Sequence, residues 1–187
     1  MYHKNIRPFI THCILDSARM GGELRESRRK SLQAVSLYRG MEEERHADIA
    51  PYLIPYKDNP EFEKWIFTEG WGKSWGIFFS SGASPEEIRK HFRRFLLVKD
   101  EEGRTLYFRF YDPRVLRVFL PTCSEEQLEQ LFGPLEFYVC EDRDPSRALV
   151  YSVSAGQLNT NMIDLSHEVK DQMHKETIRR DTRDVIV

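Results

Sequence analysis

The chain has 187 residues and a mass of 22.2 kDa, long enough to bury roughly 70% of its unfolded surface without a disulfide or structural metal. Its 28 Lys and Arg against 30 Asp and Glu leave a net charge of −2, which argues against non-specific nucleic-acid or anionic-membrane binding. With 40% hydrophobic and 31% charged residues, the composition is that of a soluble globular protein and excludes a disordered or fibrous one.

No apolar run approaches the ~18 residues of a membrane span, and the N-terminal residues 1–8 lack the apolar segment of a signal peptide. A cytoplasmic protein is expected. Cys13, Cys123 and Cys140 are odd in number and far apart. They fit reduced thiols better than a disulfide framework or a zinc site, and no cofactor or metal is expected.

In chain order, Phe9 to Leu15 has the length and β-branched content of a strand, ending at Asp16-Ser17. A charged helix is predicted over residues 23–35, with Leu24, Ser31, Leu32 and Val35 inward and Arg25, Arg28, Arg29 and Lys30 solvated. Ala50 to Tyr56 is a short strand closed off by proline. Three helices carry start signals. Asn59-Pro60-Glu61 offers an N-cap and a first-turn proline, with Phe62, Trp65 and Ile66 on one face and Gly70 as the stop. Ser84-Pro85-Glu86-Glu87 and Ser124-Glu125-Glu126-Gln127 are capping boxes. Ile88, Phe92, Phe95 and Leu96 follow the first; Leu128, Leu131 and Phe132 follow the second, which Gly133-Pro134 stops.

Strands are expected at 75–80, 96–98, 105–110, 135–140 and 148–153, with Asp100 to Gly103 as a hairpin loop. Asp112 reads as an N-cap, with Pro113 opening a short helix over 114–120 that Pro121 ends. From Asn159, the stripe Met162, Leu165, Val169 and Met173 predicts a terminal helix over about 159–181. The expected architecture is therefore α/β, a mixed sheet flanked by helices with a C-terminal helical appendage. Residues 1–156 form the α/β domain and 157–187 the helix and tail.

Several chemical motifs fail on inspection. Gly72-Lys73-Ser74 matches the end of a P-loop, but Phe67 stands where the first glycine belongs, and a helix precedes rather than follows. Ser152 to Gly156 resembles a nucleophile elbow with Ser152 in place of the first glycine. His167 and His174 lie two helical turns apart, too far to share a metal. Arg89, Lys90, Arg93 and Arg94 make a basic helix face, suited to solvent or an acidic partner more than to nucleic acid. Arg109, Tyr111, Asp112 and Arg114 are the densest polar stretch, read as structure first and as an anion site with acid–base help second.

Taken together, residues 14–19, 36–40, 50–53, 70–76, 108–116 and 132–134 resemble the bacterial type VI secretion adaptor, or effector chaperone, family. The blocks include Ile14-Leu15-Asp16-Ser17-Ala18-Arg19, Gly70-Trp71-Gly72-Lys73-Ser74-Trp75-Gly76, Phe108-Arg109-Phe110-Tyr111-Asp112-Pro113-Arg114 and Phe132-Gly133-Pro134. The resemblance implies a cytoplasmic, non-enzymatic protein that binds a toxic effector and helps load it onto the secretion spike. It also implies a short form lacking most of the family's second, helical lobe.

The expected partners are thus an effector and a spike protein, with no nucleic acid and no membrane span, and a homodimer as one way to compensate for the missing lobe. Trp71, Trp75, Leu165, Val169 and Met173 are the candidate contacts, each also readable as core. Asp16, Arg109, Asp112, Pro113, Arg114, Gly133 and Pro134 are the candidate structural motif. The alternative is a small hydrolase or phosphate-binding enzyme using Arg109, Tyr111, Asp112 and Arg114.

Overall fold

A computed structural model describes residues 7–165 apart from 26, 27, 30, 31, 41, 42, 44 and 58. Its centre is a seven-stranded sheet of β1 (His12–Asp16), β2 (Val35–Ser36), β3 (Pro51–Pro55), β4 (Gly76–Ser81), β7 (Leu135–Glu141), β8 (Arg147–Ser154) and β9 (Gln157–Asp164). The order is β2-β3-β1-β4-β7-β8-β9. Every pairing is antiparallel, where a mixture of directions was expected. A separate two-stranded sheet joins β5 (Leu97–Lys99) to β6 (Thr105–Tyr107).

Among the described residues, four α-helices pack with the sheet: α1 (Pro60–Trp65), α2 (Pro85–Arg93), α3 (Pro113–Phe119) and α4 (Glu125–Phe132). Their starts are the predicted ones. Asn59 accepts from the Phe62 amide and Asp112 from the Arg114 amide, while Ser84/Glu87 and Ser124/Gln127 form reciprocal capping boxes. Helix α1 widens into a π turn over Ile66–Gly70, with the Trp71 amide bonding back to the Ile66 carbonyl.

Helices cover both faces of the sheet. Ile88 and Phe92 of α2, Leu116 of α3 and Leu128, Leu131 and Phe132 of α4 pack with Ile14, Ile77, Phe79, Tyr138 and Tyr151 on one face. Leu24, Phe62, Ile66, Phe67 and Trp75 pack with Cys13, Leu15, Ile54, Phe78 and Val150 on the other. That double coverage explains why β4 is buried at all six positions and reads as a continuous apolar run. Gly76 is required where β4 meets β1: a Cβ there would sit 2.0 Å from the Ile14 carbonyl oxygen.

Four expectations need correction. Residues 157–164 are strand β9, so the terminal helix does not begin at 159, and the α/β unit continues through Leu165 rather than closing at 156. The boundary at 156 falls inside the tight β8–β9 turn, where Ala155 and Gly156 have φ of 50° and 75°; the elbow-like Ser152–Gly156 segment is the end of strand β8 together with this turn. The rest of the expected helix, with Val169 and Met173, lies outside the described residues. Val35 belongs to β2 and is exposed rather than on a buried helix face, and Arg29 is half-buried over the Tyr52 ring rather than solvated.

Candidate functional site

The chain gathers its charged motif residues where β1 ends and α3 begins. Asp16, the last residue of β1, is almost wholly buried. One carboxylate oxygen caps the short 3-10 turn after it by accepting from the Ala18 amide at 3.1 Å, and the other is ion-paired with Arg109. Asp112 is equally buried; it accepts from the Arg114 amide at 2.9 Å and from the Arg114 side chain at 2.6 Å. Burial alone would raise the Asp112 carboxyl pKa, but the Arg114 hydrogen bonds and the charges of Arg114 and Arg109 hold it below the usual carboxylate range.

Between these pairs, burial pushes the Tyr111 hydroxyl pKa upward, with the Asp16 charge adding to it. Burial opposes the Arg109 charge, yet the Asp16 hydrogen bond and carboxylate outweigh it and raise the guanidinium pKa. The four residues of the enzyme alternative are therefore together, but each carboxylate is already held by an arginine and each serves as a turn or helix cap. Pro113 is buried at the first position of α3.

A second polar knot crosses the opposite face. Gly72 and Ser74 have φ of 85° and 56°, so the turn aims its amides at one point. The occupant is the Glu141 carboxylate at the end of β7. It accepts from the Gly72 amide at 2.6 Å, the Ser74 amide at 2.7 Å and the Ser74 hydroxyl at 2.9 Å. The sequence Gly72-Lys73-Ser74 thus does cradle an anion, an internal carboxylate rather than a phosphate. The Trp71 indole N–H adds a bond to the Pro145 carbonyl at 2.8 Å. Gly70 is needed for contact rather than as a helix stop: a Cβ there would lie 2.5 Å from the Trp75 ring.

This arrangement decides where the candidate contact residues sit. Trp75 and Leu165 are 6% and 8% exposed and belong to the core. Trp71 is half-buried against Phe67 and Phe78. Gly133, with φ of 46°, ends α4 directly beneath His91; a Cβ there would lie 2.5 Å from the imidazole Cε1. His91 Nε2 donates to the Leu131 carbonyl at 2.9 Å, and its Nδ1 accepts from Arg94 at 2.9 Å. Burial lowers its pKa and the Arg94 charge adds to that, against the Leu131 bond. Pro134 leads from Gly133 into β7, its carbonyl accepting from the Ser81 hydroxyl at 2.8 Å.

Sequence reasoning located the β5–β6 hairpin but not its exposure. Leu97, Val98, Leu106 and Tyr107 are all exposed. It also missed Arg39, which joins Arg89, Lys90, Arg93 and Arg94 around one open cleft with Glu86. Only the contact between the 36–40 segment and α2, made by Arg89 donating to the Ser36 and Tyr38 carbonyls, brings them together. Glu141 carried no local signal.

The fold and these knots define an α/β domain whose charged motif residues brace its turns and helix starts. A family model described as a domain of unknown function, DUF4123, matches residues 12–130. The match runs from the first residue of β1 into α4, well over half of the chain, and the chain belongs to that family. No curated protein and no solved structure matches it. Among the described residues, no helix is long and apolar enough to cross a membrane.

Proposed function

We propose that this protein is a non-enzymatic adaptor of type VI secretion, a chaperone that binds one effector and helps load it onto the spike protein. The observation that carries the reading is the closed state of the densest polar cluster beside an open apolar surface. Asp16 and Asp112 are occupied by Arg109 and Arg114 and by the backbone they cap, whereas the β5–β6 hairpin displays four large apolar side chains. Apolar surface of this kind suits recognition of another protein. The motif blocks that carry the adaptor resemblance lie almost entirely within the matched family segment.

The test is deletion of the gene in its native host, with export of each toxin followed separately. The adaptor reading expects loss of one toxin from the medium, restored by the wild-type gene, while the others continue to be secreted. Unchanged export of every toxin would overturn it. Replacing Asp112 with Asn, which preserves the cap and removes the carboxylate, is expected to restore export as the wild type does. Loss of function in a stably folded Asp112→Asn protein would favour the enzyme alternative instead.

A further inference from the structure

Four of the nine exposed large hydrophobic residues among the described residues lie on the single β5–β6 hairpin. Cross-strand pairing of Leu97 with Tyr107 and of Val98 with Leu106 places one pair on each face of this ribbon. The hairpin is not part of the main sheet, and a two-stranded ribbon gains little stability by itself. Placing large apolar side chains on it lowers solubility without filling a core.

The Leu97/Tyr107 face continues into the basic cleft. The Tyr107 ring lies 6.3 Å from that of Tyr38, and the Tyr38 carbonyl accepts from Arg89 at 3.2 Å. Around that point Arg39, Arg89, Lys90, Arg93 and Arg94 line an opening of about 370 Å³ with one acidic residue, Glu86. Glu43 reaches Arg89 at 3.4 Å. Five cations thus face two carboxylates among the described residues, in a chain whose net charge is −2. Burial together with the neighbouring charges of Arg39 and Arg89 lowers the Arg93 pKa, as expected for cations held against one another.

We infer that this composite surface, the Leu97/Tyr107 face of the hairpin with the adjoining Arg39–Arg89–Lys90–Arg93–Arg94 cleft, docks an acidic protein segment bearing aliphatic or aromatic anchor side chains. Carboxylates of the segment neutralise the cleft, and its apolar side chains cover the hairpin. The aliphatic component favours a peptide over a nucleic acid, since Leu97 offers no stacking plane and the whole chain lacks the net positive charge that draws a polyanion. The inference rests on the adaptor reading in taking the partner to be a protein, and it adds the chemistry of the segment recognised.

The experiment places the photo-crosslinking residue benzoylphenylalanine at position 97 or 107 of the full chain in the native host. Position 162 on β9, at the opposite edge of the main sheet, serves as an exposed control. Mass spectrometry identifies the cross-linked fragment. The expected result is an adduct at 97 and 107, not at 162, to a peptide with net negative charge. Its yield should fall at least about tenfold when Arg39→Glu and Lys90→Glu are combined, since reversing two cations that meet carboxylates removes attraction and adds repulsion. Both substituted side chains are exposed, so the melting temperature should be unchanged.

No adduct at 97 and 107, an adduct to nucleic acid, a peptide without net negative charge, or a yield indifferent to the charge reversal would each overturn the inference. The toxin-export test decides the adaptor reading separately, so failure of one is distinguishable from failure of the other.

Discussion

Replacing Glu141 with Gln should be among the most damaging single-atom changes available in this protein. The carboxylate is nearly inaccessible and receives three donors, two of them the backbone amides of Gly72 and Ser74. Each hydrogen bond to a charged group contributes about 1.5–3 kcal/mol net, and leaving a buried donor unsatisfied costs about 1–3 kcal/mol. Gln keeps one acceptor oxygen and turns the other into an amide NH2, so either Gly72 or the Ser74 pair faces a donor. Because two of the three donors are main-chain groups, no compensating side-chain change removes them.

The carboxylate also holds Ser74 at a φ of 56°, a left-handed conformation that costs a non-glycine residue about 1–2 kcal/mol. Part of that strain is released when the turn relaxes. The balance is a loss of about 3–4 kcal/mol, which at roughly 2–4 °C per kcal/mol lowers the melting temperature by about 6–16 °C for a protein of this size. Tryptophan fluorescence offers a local readout, since Trp71 and Trp75 flank the turn and Trp65 packs on Trp75 at 5.4 Å. Glu141→Gln should shift emission to the red before global unfolding. Ser74→Ala removes only the hydroxyl bond and should cost about 1 kcal/mol, and the double variant should be less than additive. A Glu141→Gln protein within about 0.5 kcal/mol of the parent would refute the reasoning.

Gly133→Ala combines a φ of 46° with a Cβ only 2.5 Å from the His91 ring, and should cost about 2–3 kcal/mol in chemical denaturation. Asp112→Asn keeps the cap but weakens the hold on Arg114, whose side chain is half-exposed, so about 0.5–1.5 kcal/mol is expected, against about 1–2 kcal/mol more for Asp112→Ala. The folded Asp112 pKa is depressed, so its contribution is present above the unfolded value near ~3.9 and lost as pH falls through the folded pKa. Asp112→Asn should flatten that part of a stability–pH curve. The folded pKa values of His91 and His12 are lowered by burial; the unfolded chain then takes up protons first, and stability should be full above about pH 6.5 and decline as pH falls toward the folded values. For His91, protonating Nδ1 would set a new N–H against the Arg94 donor. Proton NMR titration of the imidazoles checks the direction, and a folded His91 titrating above about 6.5 would contradict it.

Local chemistry was legible wherever a residue's role is satisfied within a few positions of chain. The Ser84 and Ser124 capping boxes, the Asn59 and Asp112 caps with their prolines, and the Asp100–Gly103 hairpin loop all occur as read, because each needs only neighbours one to four residues away. The core stripe of Ile88 and Phe92 followed from helical spacing for the same reason.

Where two segments must meet, the linear pattern was silent or misleading. Residues 157–164 carry a helix-like apolar spacing, yet pairing with β8 along eight positions and the Ala155-Gly156 turn make them a strand; cross-strand bonding outweighed a weak intrinsic preference. The Gly72-Lys73-Ser74 turn, rejected in the sequence as a phosphate loop, closes on a carboxylate 67 residues beyond Ser74 that no local pattern pointed to. Asp16 finds Arg109 across 93 positions, and Arg39 joins the α2 cations only through packing of the 36–40 segment. The sequence by itself determined where the four capped helices begin, which of their side chains face the interior and which family the motif order resembles. Tertiary structure alone decided which charges neutralise one another and which apolar residues stay outside, because burial and pairing depend on separations in space that the chain order does not encode.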